Sequence, residues 1–370
     1  MTSALSPLDD FPVHQVAEVM RHPATSDRNF YDRYYFMLHS SDDELMMIMG
    51  FGQYPNLSVQ DAFGLVRRGS MHRVVRASRR LGLDRMDLSV GPFRIEVLEG
   101  LKRVRYVLDA NEHGLSFDLE WTGAIGPHLE ERHYIRSFER VTFDTERFAQ
   151  TGFWAGTVTV GDDTVDVTGG RWRGVRDRSW GVRPIGEPEP PGIAAGGTPS
   201  MSMWNYAPMQ FDDYSIVYIC SESPDGTRNL VDTTRVWNDP DRAPDQLGRA
   251  EHAHEFRSGT RMIDHSVLSF PDAPGGSLSI DVTPLIQTHI GVGTGYGMDQ
   301  DWRHGMYQGD LVVQGVDLDT TANAERFFGI VDASARFETN TGDVGYGLHE
   351  YMVLGPFPKY GLTGLLDGAP

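Results

Sequence analysis

Apolar and polar side chains alternate with a period of two along most of the chain, which is typical of β-strands that bury one face. The clearest example runs from Leu115 to Trp121, where odd-numbered residues are apolar and even-numbered residues are polar. Residues 12–22 instead show the i, i+3, i+4, i+7 spacing of an amphipathic helix, and Pro23 would end that helix. The pattern therefore predicts an all-β protein with few short helices.

The predicted strands follow one another without helical segments between them. Short turn sequences separate them, as at Arg68-Gly69-Ser70 and Gly161-Asp162-Asp163. Such meanders form antiparallel barrels or sandwiches and not βαβ folds. A stretch rich in proline and glycine, residues 184–197, interrupts the pattern near the middle and is typical of a linker. We therefore predict two antiparallel β-barrel or sandwich domains, residues 24–186 and 198–362.

Composition narrows the possible partners of the chain. Its 370 residues, 39% hydrophobic and 23% charged, suffice for two folded cores. The formal net charge of -19 argues against nucleic acid and anionic membranes as partners. No segment has the pattern of a signal peptide or a membrane span, and Cys220 is the single cysteine, which fits a reducing compartment. We expect a cytoplasmic monomer or homodimer without membrane insertion.

Basic residues concentrate near the midpoint, between Gly170 and Pro184, where five arginines and two tryptophans fall in fifteen residues. If this stretch is extended, its side chains divide between two faces. One face carries Trp172, Arg176, Arg178 and Trp180, and the other carries Arg171, Arg173, Asp177 and Ser179. The first face suits guanidinium groups stacked on aromatic rings, and the second suits a carboxylate paired with arginine. Two roles fit this pattern: the stretch could hold the two domains together through ion pairs, or it could line a ligand cavity.

A second candidate carboxyl group lies near the C-terminus. Glu350 shares its predicted strand face with Leu348, Met352 and Leu354. Burial raises the pKa of a carboxyl group and favours the neutral form that general-acid catalysis needs. The arginines around Asp177 predict instead that it stays ionised and orients water or a substrate group. We therefore predict that Glu350 is the general acid and that Asp177 is the orienting group. A buried ion pair between Glu350 and those arginines is the alternative, and the assignment of the acid between the two carboxyl groups stays open.

Other motifs give weaker signals. Residues 291–297 superficially resemble a nucleotide-binding loop, but no helical pattern follows to bind a phosphate. His252 and His254 would share a strand face, as two zinc ligands do, but a third ligand is not evident nearby. His304 fits a turn histidine with satisfied hydrogen bonds. We therefore predict no metal and no cofactor.

The central motif resembles one known superfamily. The segment Arg176-Asp177-Arg178-Ser179-Trp180-Gly181, followed beyond a proline-rich crossing by Trp204-Asn205-Tyr206, is similar to the AttH-like/carotenoid 1,2-hydratase (hydroxyneurosporene synthase) superfamily. That group includes kievitone hydratase and lipocalin-like Diels–Alderases. The resemblance implies two lipocalin-like β-domains with a cavity near their interface.

The same resemblance suggests a cofactor-independent hydratase or dehydratase. Its substrate would be a small, largely apolar molecule such as an isoprenoid or an aromatic natural product. Glu350 and Asp177 are the predicted catalytic residues, and aromatic rings would stabilise a cationic intermediate. The predicted substrate-binding residues are Trp180, Trp204, Tyr206, Arg176, Arg178, Trp172, Tyr34 and His349. The alternatives are an isomerase or cyclase of the Diels–Alderase type and a non-catalytic carrier of a hydrophobic ligand.

Overall fold

The structure is a computed structural model that describes residues 5–137, 139–188, 203–297 and 299–370. These residues form 23 strands and a few short helical turns. The turns are Pro7–Asp10, Pro55–Leu57, Gly291–Thr294, Ala324–Arg326 and Pro358–Tyr360. The described residues contain no helix with the length and apolarity needed to cross a membrane. The prediction of an all-β fold is confirmed.

The strands are numbered in chain order. Those of the N-terminal half are β1 (Phe30–His39), β2 (Met46–Tyr54), β3 (Val59–Arg68), β4 (Met71–Arg80), β5 (Ser89–Val90), β6 (Phe93–Glu99), β7 (Arg103–Leu108), β8 (Leu115–Gly123), β9 (His128–Leu129), β10 (His133–Ser137), β11 (Arg140–Val160), β12 (Asp163–Val167) and β13 (Arg173–Val182). Those of the C-terminal half are β14 (Met203–Gln210), β15 (Tyr214–Glu222), β16 (Arg228–Trp237), β17 (Asp245–Gln246), β18 (Glu251–Phe256), β19 (Ile263–Phe270), β20 (Leu278–His289), β21 (Leu311–Asp319), β22 (Val331–Thr339) and β23 (Val344–Val353).

Two antiparallel sheets contain all of these strands. The first has the order β21-β4-β3-β2-β1-β13-β11-β8-β7-β6-β5, with β9, β10 and β12 paired to β11, and it forms a nearly closed barrel. The second has the order β17-β16-β15-β14-β23-β22-β20-β19-β18 and forms a half-barrel. The predicted pair of lipocalin-like β-domains is therefore confirmed as the fold class. The boundary between residues 186 and 198 stays a prediction, and most of the predicted linker lies outside the described residues.

Three hydrophobic clusters fill this architecture. One lies inside the barrel, one inside the half-barrel, and one between the two sheets. The alternation along β1 shows how one strand serves two clusters, because Phe36 and Leu38 enter the barrel while Tyr35 and Met37 face the second sheet. The space between the sheets is therefore a true core, and any cavity in it is walled by both halves of the chain.

The helix predicted at residues 12–22 is wrong. This segment is irregular, and the side chains of Val13 and Val16, meant for its buried face, are each 43% exposed. Isolated helices of this length are marginal in water without a surface to pack on. The spacing of apolar residues alone was therefore not enough to form a helix in this segment.

The basic midpoint stretch forms β13, which lies between β1 and β11 in the first sheet. Its side chains alternate as predicted. Arg178 lies on the face of Tyr34, with its guanidinium carbon 3.9 Å from the ring centroid, and donates to Asp32 at 2.6 Å. Asp177 points the opposite way, towards the second sheet. The strand thus presents a carboxyl group to the space between the sheets.

Candidate active site

A cavity of about 210 Å³ lies between the two sheets. Odd-numbered residues of three neighbouring first-sheet strands form one wall, since alternate side chains on a strand share a face. The second sheet and the loop before β21 form the other wall. The first-sheet residues are Tyr31, Arg33 and Tyr35 on β1, Phe143, Thr145 and Arg147 on β11, and Asp177 and Ser179 on β13. The second wall includes Trp204 on β14, Glu350 and Met352 on β23, and Tyr296 on the loop.

Asp177 is buried in this wall, with 7% of its surface exposed. Its carboxyl group makes no hydrogen bond to any described residue. Burial raises the pKa of Asp177 to about 7, although the charge of Arg147 opposes this rise. The sequence-based expectation of an ionised Asp177 is therefore not met, because its sequence neighbours Arg176 and Arg178 point to the other side of the sheet.

Glu350 belongs to a pair of buried carboxyl groups. Its cross-strand neighbour on β22 is Asp332, which is fully buried and accepts a hydrogen bond from the hydroxyl of Tyr35 at 2.7 Å. The indole N–H of Trp204 donates to Glu350. Burial raises the pKa of Glu350, and burial together with the charge of Glu350 raises the pKa of Asp332 well above its usual range. Asp332 is therefore the member of the pair that keeps its proton.

Arg147 supplies a buried positive charge beside both carboxyl sites. It donates to Glu130 at 2.6 Å. Its guanidinium carbon lies 4.3 Å from the ring centroid of Tyr206 and 5.5 Å from that of Trp204. Burial opposes the charge of Arg147, but Glu130 and the other nearby acids raise its pKa well above the usual value. The guanidinium therefore stays charged and occupies the space near these two rings.

Several buried polar atoms around the cavity have no hydrogen-bond partner among the described residues. They are Arg33 Nη2, Glu130 Oε1, His133 Nε2, Tyr206 Oη and Asp332 Oδ1. A polar atom that is buried and unpaired costs free energy, so a group of them around one cavity calls for a physical reason. Water or a ligand with hydrogen-bonding groups would satisfy them.

The loop before β21 closes one end of the cavity. Tyr296 lies between Gly295 and Gly297, whose φ angles of 100° and 94° favour glycine. A Cβ atom at Gly295 would lie 2.7 Å from the imidazole of His304, which packs edge-on against Tyr296 with ring centroids 4.3 Å apart. The segment that resembles a nucleotide loop therefore positions an aromatic side chain at the cavity.

The structure brings together three of the predicted site residues, Asp177, Glu350 and Trp204, in one cavity wall. Tyr206 lies beside them, against Arg147. The remaining predicted residues do not line this cavity. Tyr34, Trp172, Arg176, Arg178 and Trp180 lie on the barrel side of the first sheet, and His349 faces the interior of the half-barrel. Their predicted role in substrate binding stays a prediction.

The two histidines tested as zinc ligands belong to a hydrogen-bonded network. His252 contacts the Tyr360 hydroxyl at 2.7 Å and Glu222 at 3.1 Å. His254 contacts Ser266 at 2.7 Å, and its other ring nitrogen lies 3.0 Å from Asn205. Among the residues that the structure describes, no three His, Cys, Asp or Glu side chains are grouped to hold a metal ion.

Sequence reasoning missed Asp332, Tyr35 and Arg147. Asp332 had a usable signal, since it is a lone acid in the apolar run from Val331 to Ala335, as Glu350 is in its own strand. Arg147 gave no such signal, because its importance depends on the register of β11 against β13. Registers between distant strands are not encoded in local alternation.

Comparisons with known proteins agree with this architecture. The model of a family of unknown function (DUF8625) matches residues 5–363. No curated protein matches the chain in sequence. Similar solved structures include an AttH protein from Nitrosomonas europaea, with 13% identity, a TM-score of 0.53, and coverage of 94% of this chain and 99% of that one.

Two further solved structures share the fold. Kievitone hydratase from Nectria haematococca is 12% identical, with a TM-score of 0.52 and coverage of 87% of this chain and 88% of that one. CghA with Sch210972 is 10% identical, with a TM-score of 0.50 and coverage of 88% and 89%. At these identities the likeness concerns the fold, and at that level the resemblance to the AttH-like superfamily is confirmed.

Proposed function

The chain belongs to the family of unknown function DUF8625, and we propose that it is an enzyme of the hydro-lyase type that adds or removes water on a small molecule bound between its sheets. One observation carries the proposal. Two buried carboxyl groups with raised pKa values, Asp177 and Glu350, face the same cavity from opposite sheets and have different partners. Carboxyl groups in contrasting environments are the usual basis of an acid and base pair.

Asp177 is suited to donate a proton. A pKa of about 7 leaves roughly half of the groups protonated at neutral pH. The carboxyl group has no hydrogen bond to a described residue, so its proton is available to a bound molecule. Asp177 is therefore the general acid of the elimination direction.

Glu350 is suited to accept a proton. The Trp204 indole N–H and the positive charge of Arg147 stabilise its carboxylate form. Asp332, whose pKa is raised further, stays neutral beside it and so adds no second negative charge. Glu350 is therefore the base, and Asp332 and Tyr35 are residues that position it.

The reaction balances without a change of oxidation state. Glu350 removes a proton from a carbon next to a carbonyl group, and a carbon–carbon double bond forms. The carbon–oxygen bond on the adjacent carbon breaks, and Asp177 gives its proton to the departing hydroxyl group, which leaves as water. The charged guanidinium of Arg147, which lines the cavity, can stabilise the negative charge that develops on the carbonyl oxygen. Hydration is the reverse of these steps.

A route through a negatively charged enolate fits the cavity better than one through a carbocation. The rings of Trp204 and Tyr206 were expected to stabilise a cation, but the guanidinium of Arg147 already lies near both. A permanent positive charge there disfavours a second cation and favours an anion.

Two features outside the carboxyl pair support a small substrate and a hydration reaction. The cavity of about 210 Å³ is smaller than typical ligand pockets of roughly 300–1,000 Å³. One protein of the same fold is a hydratase by name, and another carries a bound small molecule, Sch210972. These neighbours support the reaction type.

The test is a panel of β-hydroxy ketones and the matching α,β-unsaturated ketones with aryl or alkyl substituents. We expect ¹⁸O from labelled water to enter a hydration product, measured by mass spectrometry. Asp177→Asn and Glu350→Gln should each lower the rate by roughly 10²-fold or more, since general acid–base catalysis contributes about that much.

The matched control is Asp32→Asn, which removes a half-buried carboxyl group on the other face of the same sheet, where Asp32 pairs with Arg178 and Arg85. This variant should retain the wild-type rate. Ligands that bind without any reaction would indicate a carrier, and isomeric products without ¹⁸O would indicate an isomerase or cyclase. Full activity in both Asp177→Asn and Glu350→Gln would exclude this carboxyl pair.

A further inference from the structure

Two arginines give one part of the cavity a positive charge. Arg33 on β1 and Arg183 just after β13 both line it. Their guanidinium carbons lie 5.8 Å and 5.6 Å from the ring centroid of Tyr296, so the two charges flank a single aromatic side chain. The Tyr296 hydroxyl makes no hydrogen bond to a described residue. Three groups with hydrogen-bond donors therefore lie around one aromatic ring at the cavity, and no described carboxylate is shared by all three.

Arg33 is a fixed part of this arrangement. It is 3% exposed, and its Nη1 contacts Asp61 at 3.0 Å and the hydroxyl of Tyr54. Its Nη2 atom has no hydrogen-bond partner among the described residues. Gly52 leaves room for the guanidinium, because a Cβ atom there would lie 2.6 Å from Nη1. The guanidinium of Arg33 is therefore held in place by its partners and keeps one hydrogen-bond donor that a ligand can use.

Arg183 lacks a carboxylate partner in the described part of the chain. It packs on the ring of Tyr31 at 4.7 Å, and its Nη2 lies 3.1 Å from Nδ1 of His304. Burial and the two arginines hold the pKa of His304 well below its usual range, so the imidazole accepts this hydrogen bond as a neutral group. Within the described residues the charge of Arg183 is thus not paired with a carboxylate, although the chain has a net charge of -19.

The positive region continues into a neighbouring pocket. A second cavity of about 410 Å³ shares Arg183 and Tyr296 with the first. Arg28, Arg140 and Arg303 also line it, together with one acidic residue, Glu187. The charge at the shared boundary therefore faces a volume that can admit a ligand.

We propose that Arg183 and Arg33, with the Tyr296 hydroxyl, form a subsite for a carboxylate group on the substrate. The planar guanidinium fork matches a carboxylate, which can accept from Arg183, from Nη2 of Arg33 and from Tyr296. The rest of the ligand then extends towards Asp177 and Glu350. This inference rests on the proposed function in one respect, namely that the bound molecule is also the molecule that reacts. The binding of a carboxylate can be measured without any reaction.

The test compares pairs of probes that differ in charge alone. A panel of arylalkanoic and cycloalkanoic acids, each paired with its primary amide, is titrated against the intact protein by calorimetry at pH 7.5. At least one acid should bind about tenfold or more tightly than its amide, the usual gain from a charge-assisted hydrogen bond. Arg183→Gln should abolish this preference, and Arg183→Lys should restore part of it.

The matched control is Arg94→Gln, which removes an exposed arginine paired with Asp109 on the outside of the barrel. It should leave the preference for the acid unchanged. A preference that survives in Arg183→Gln, or the absence of any preference across the panel, would overturn the subsite. The ¹⁸O assay is independent, so a protein that prefers acids but hydrates nothing retains the subsite and loses the proposed reaction.

Discussion

At the residue scale, the partners of a buried charge are set by the side of the sheet on which it lies. Arg176 and Arg178 are adjacent to Asp177 in sequence but point into the barrel, where they contact Gln150 and Asp32. Asp177 instead faces Arg147 on β11 from inside a buried wall. The cost of burying the carboxylate exceeds the benefit of one nearby arginine, and the pKa rises to about 7.

This raised pKa predicts how stability depends on pH. The folded state holds the Asp177 proton up to about pH 7, whereas an unfolded chain releases it near 3.8. The stabilisation is therefore complete below pH 4 and is lost as pH rises to about 7. Asp177→Asn, which is neutral at every pH, should be more stable than wild type at pH 8 by up to about 4 kcal/mol.

Chemical denaturation at pH 5, 6.5 and 8 would measure this effect. The advantage of Asp177→Asn should shrink as pH falls, because the wild-type carboxyl group becomes protonated in the folded state. Asp310→Asn is the control, since it removes an exposed carboxylate and should leave the pH dependence as in wild type. A variant less stable than wild type at pH 8 would show that the Asp177 charge is stabilising.

The sequence was sufficient to place Asp177 and Glu350 on their strand faces, because alternation is a local property. It did not identify their partners. Asp332 lies opposite Glu350 through the register of β22 and β23, and Arg147 reaches Asp177 through the register of β11 and β13. Such registers depend on the whole sheet and not on the residues next to each site.

At the element scale, strands were predicted well and their pairing was not. The alternation from Leu115 to Trp121 and the turn at Gly69 both occur as predicted, because each depends on a few adjacent residues. The position of β21 could not be predicted this way. The alternation of β21 would fit the edge of any sheet. In the structure β21 pairs with β4, which belongs to the other half of the chain.

In strand β2, the absence of a side chain at Gly50 leaves space for the Arg33 guanidinium and the Phe63 ring. A Cβ atom at Gly50 would overlap the ring of Phe63 and lie 2.7 Å from Nη2 of Arg33. Gly50→Ala should therefore lower the free energy of unfolding by about 1–3 kcal/mol, the usual cost of overpacking. Urea denaturation would measure this change.

Gly100→Ala is the control for this substitution. A Cβ atom at Gly100 meets no atom within 4 Å, and its backbone is not in the left-handed region. Its effect should stay within about 0.5 kcal/mol, as for ordinary surface substitutions. Equal stability of Gly50→Ala and Gly100→Ala would mean that Arg33 and Phe63 move aside freely, which would contradict a fixed Arg33 guanidinium.

At the scale of the whole molecule, the two sheets pack on one shared hydrophobic core. The cluster between them buries Met37, Ile48 and Val175 from the first sheet and Leu348 from the second, all fully buried. Strand β21 extends the first sheet although it belongs to the C-terminal half. The cavity exists only where these surfaces meet, so its chemistry depends on their association.

The two halves should consequently fail to fold apart. A fragment of residues 1–190 would expose the apolar face of Met37 and Val175 and the unpaired edge of β4, and such surfaces promote aggregation. We expect this fragment and residues 203–370 to be insoluble or non-cooperative when produced singly, and to form a 1:1 complex when produced together. Gel filtration and scanning calorimetry would distinguish these states.

A cut chain provides the matched control, because cutting preserves every contact between the sheets. A specific protease site inserted between Pro190 and Pro191 should, once cleaved, leave the halves associated with a single unfolding transition close to that of the uncut protein. The sheets share a buried core, and the first sheet takes β21 from the C-terminal half, so separation of the halves would expose more apolar surface than either half can cover. Cleaved halves that part on gel filtration and each unfold cooperatively would contradict a common core, and with it a cavity that needs both sheets.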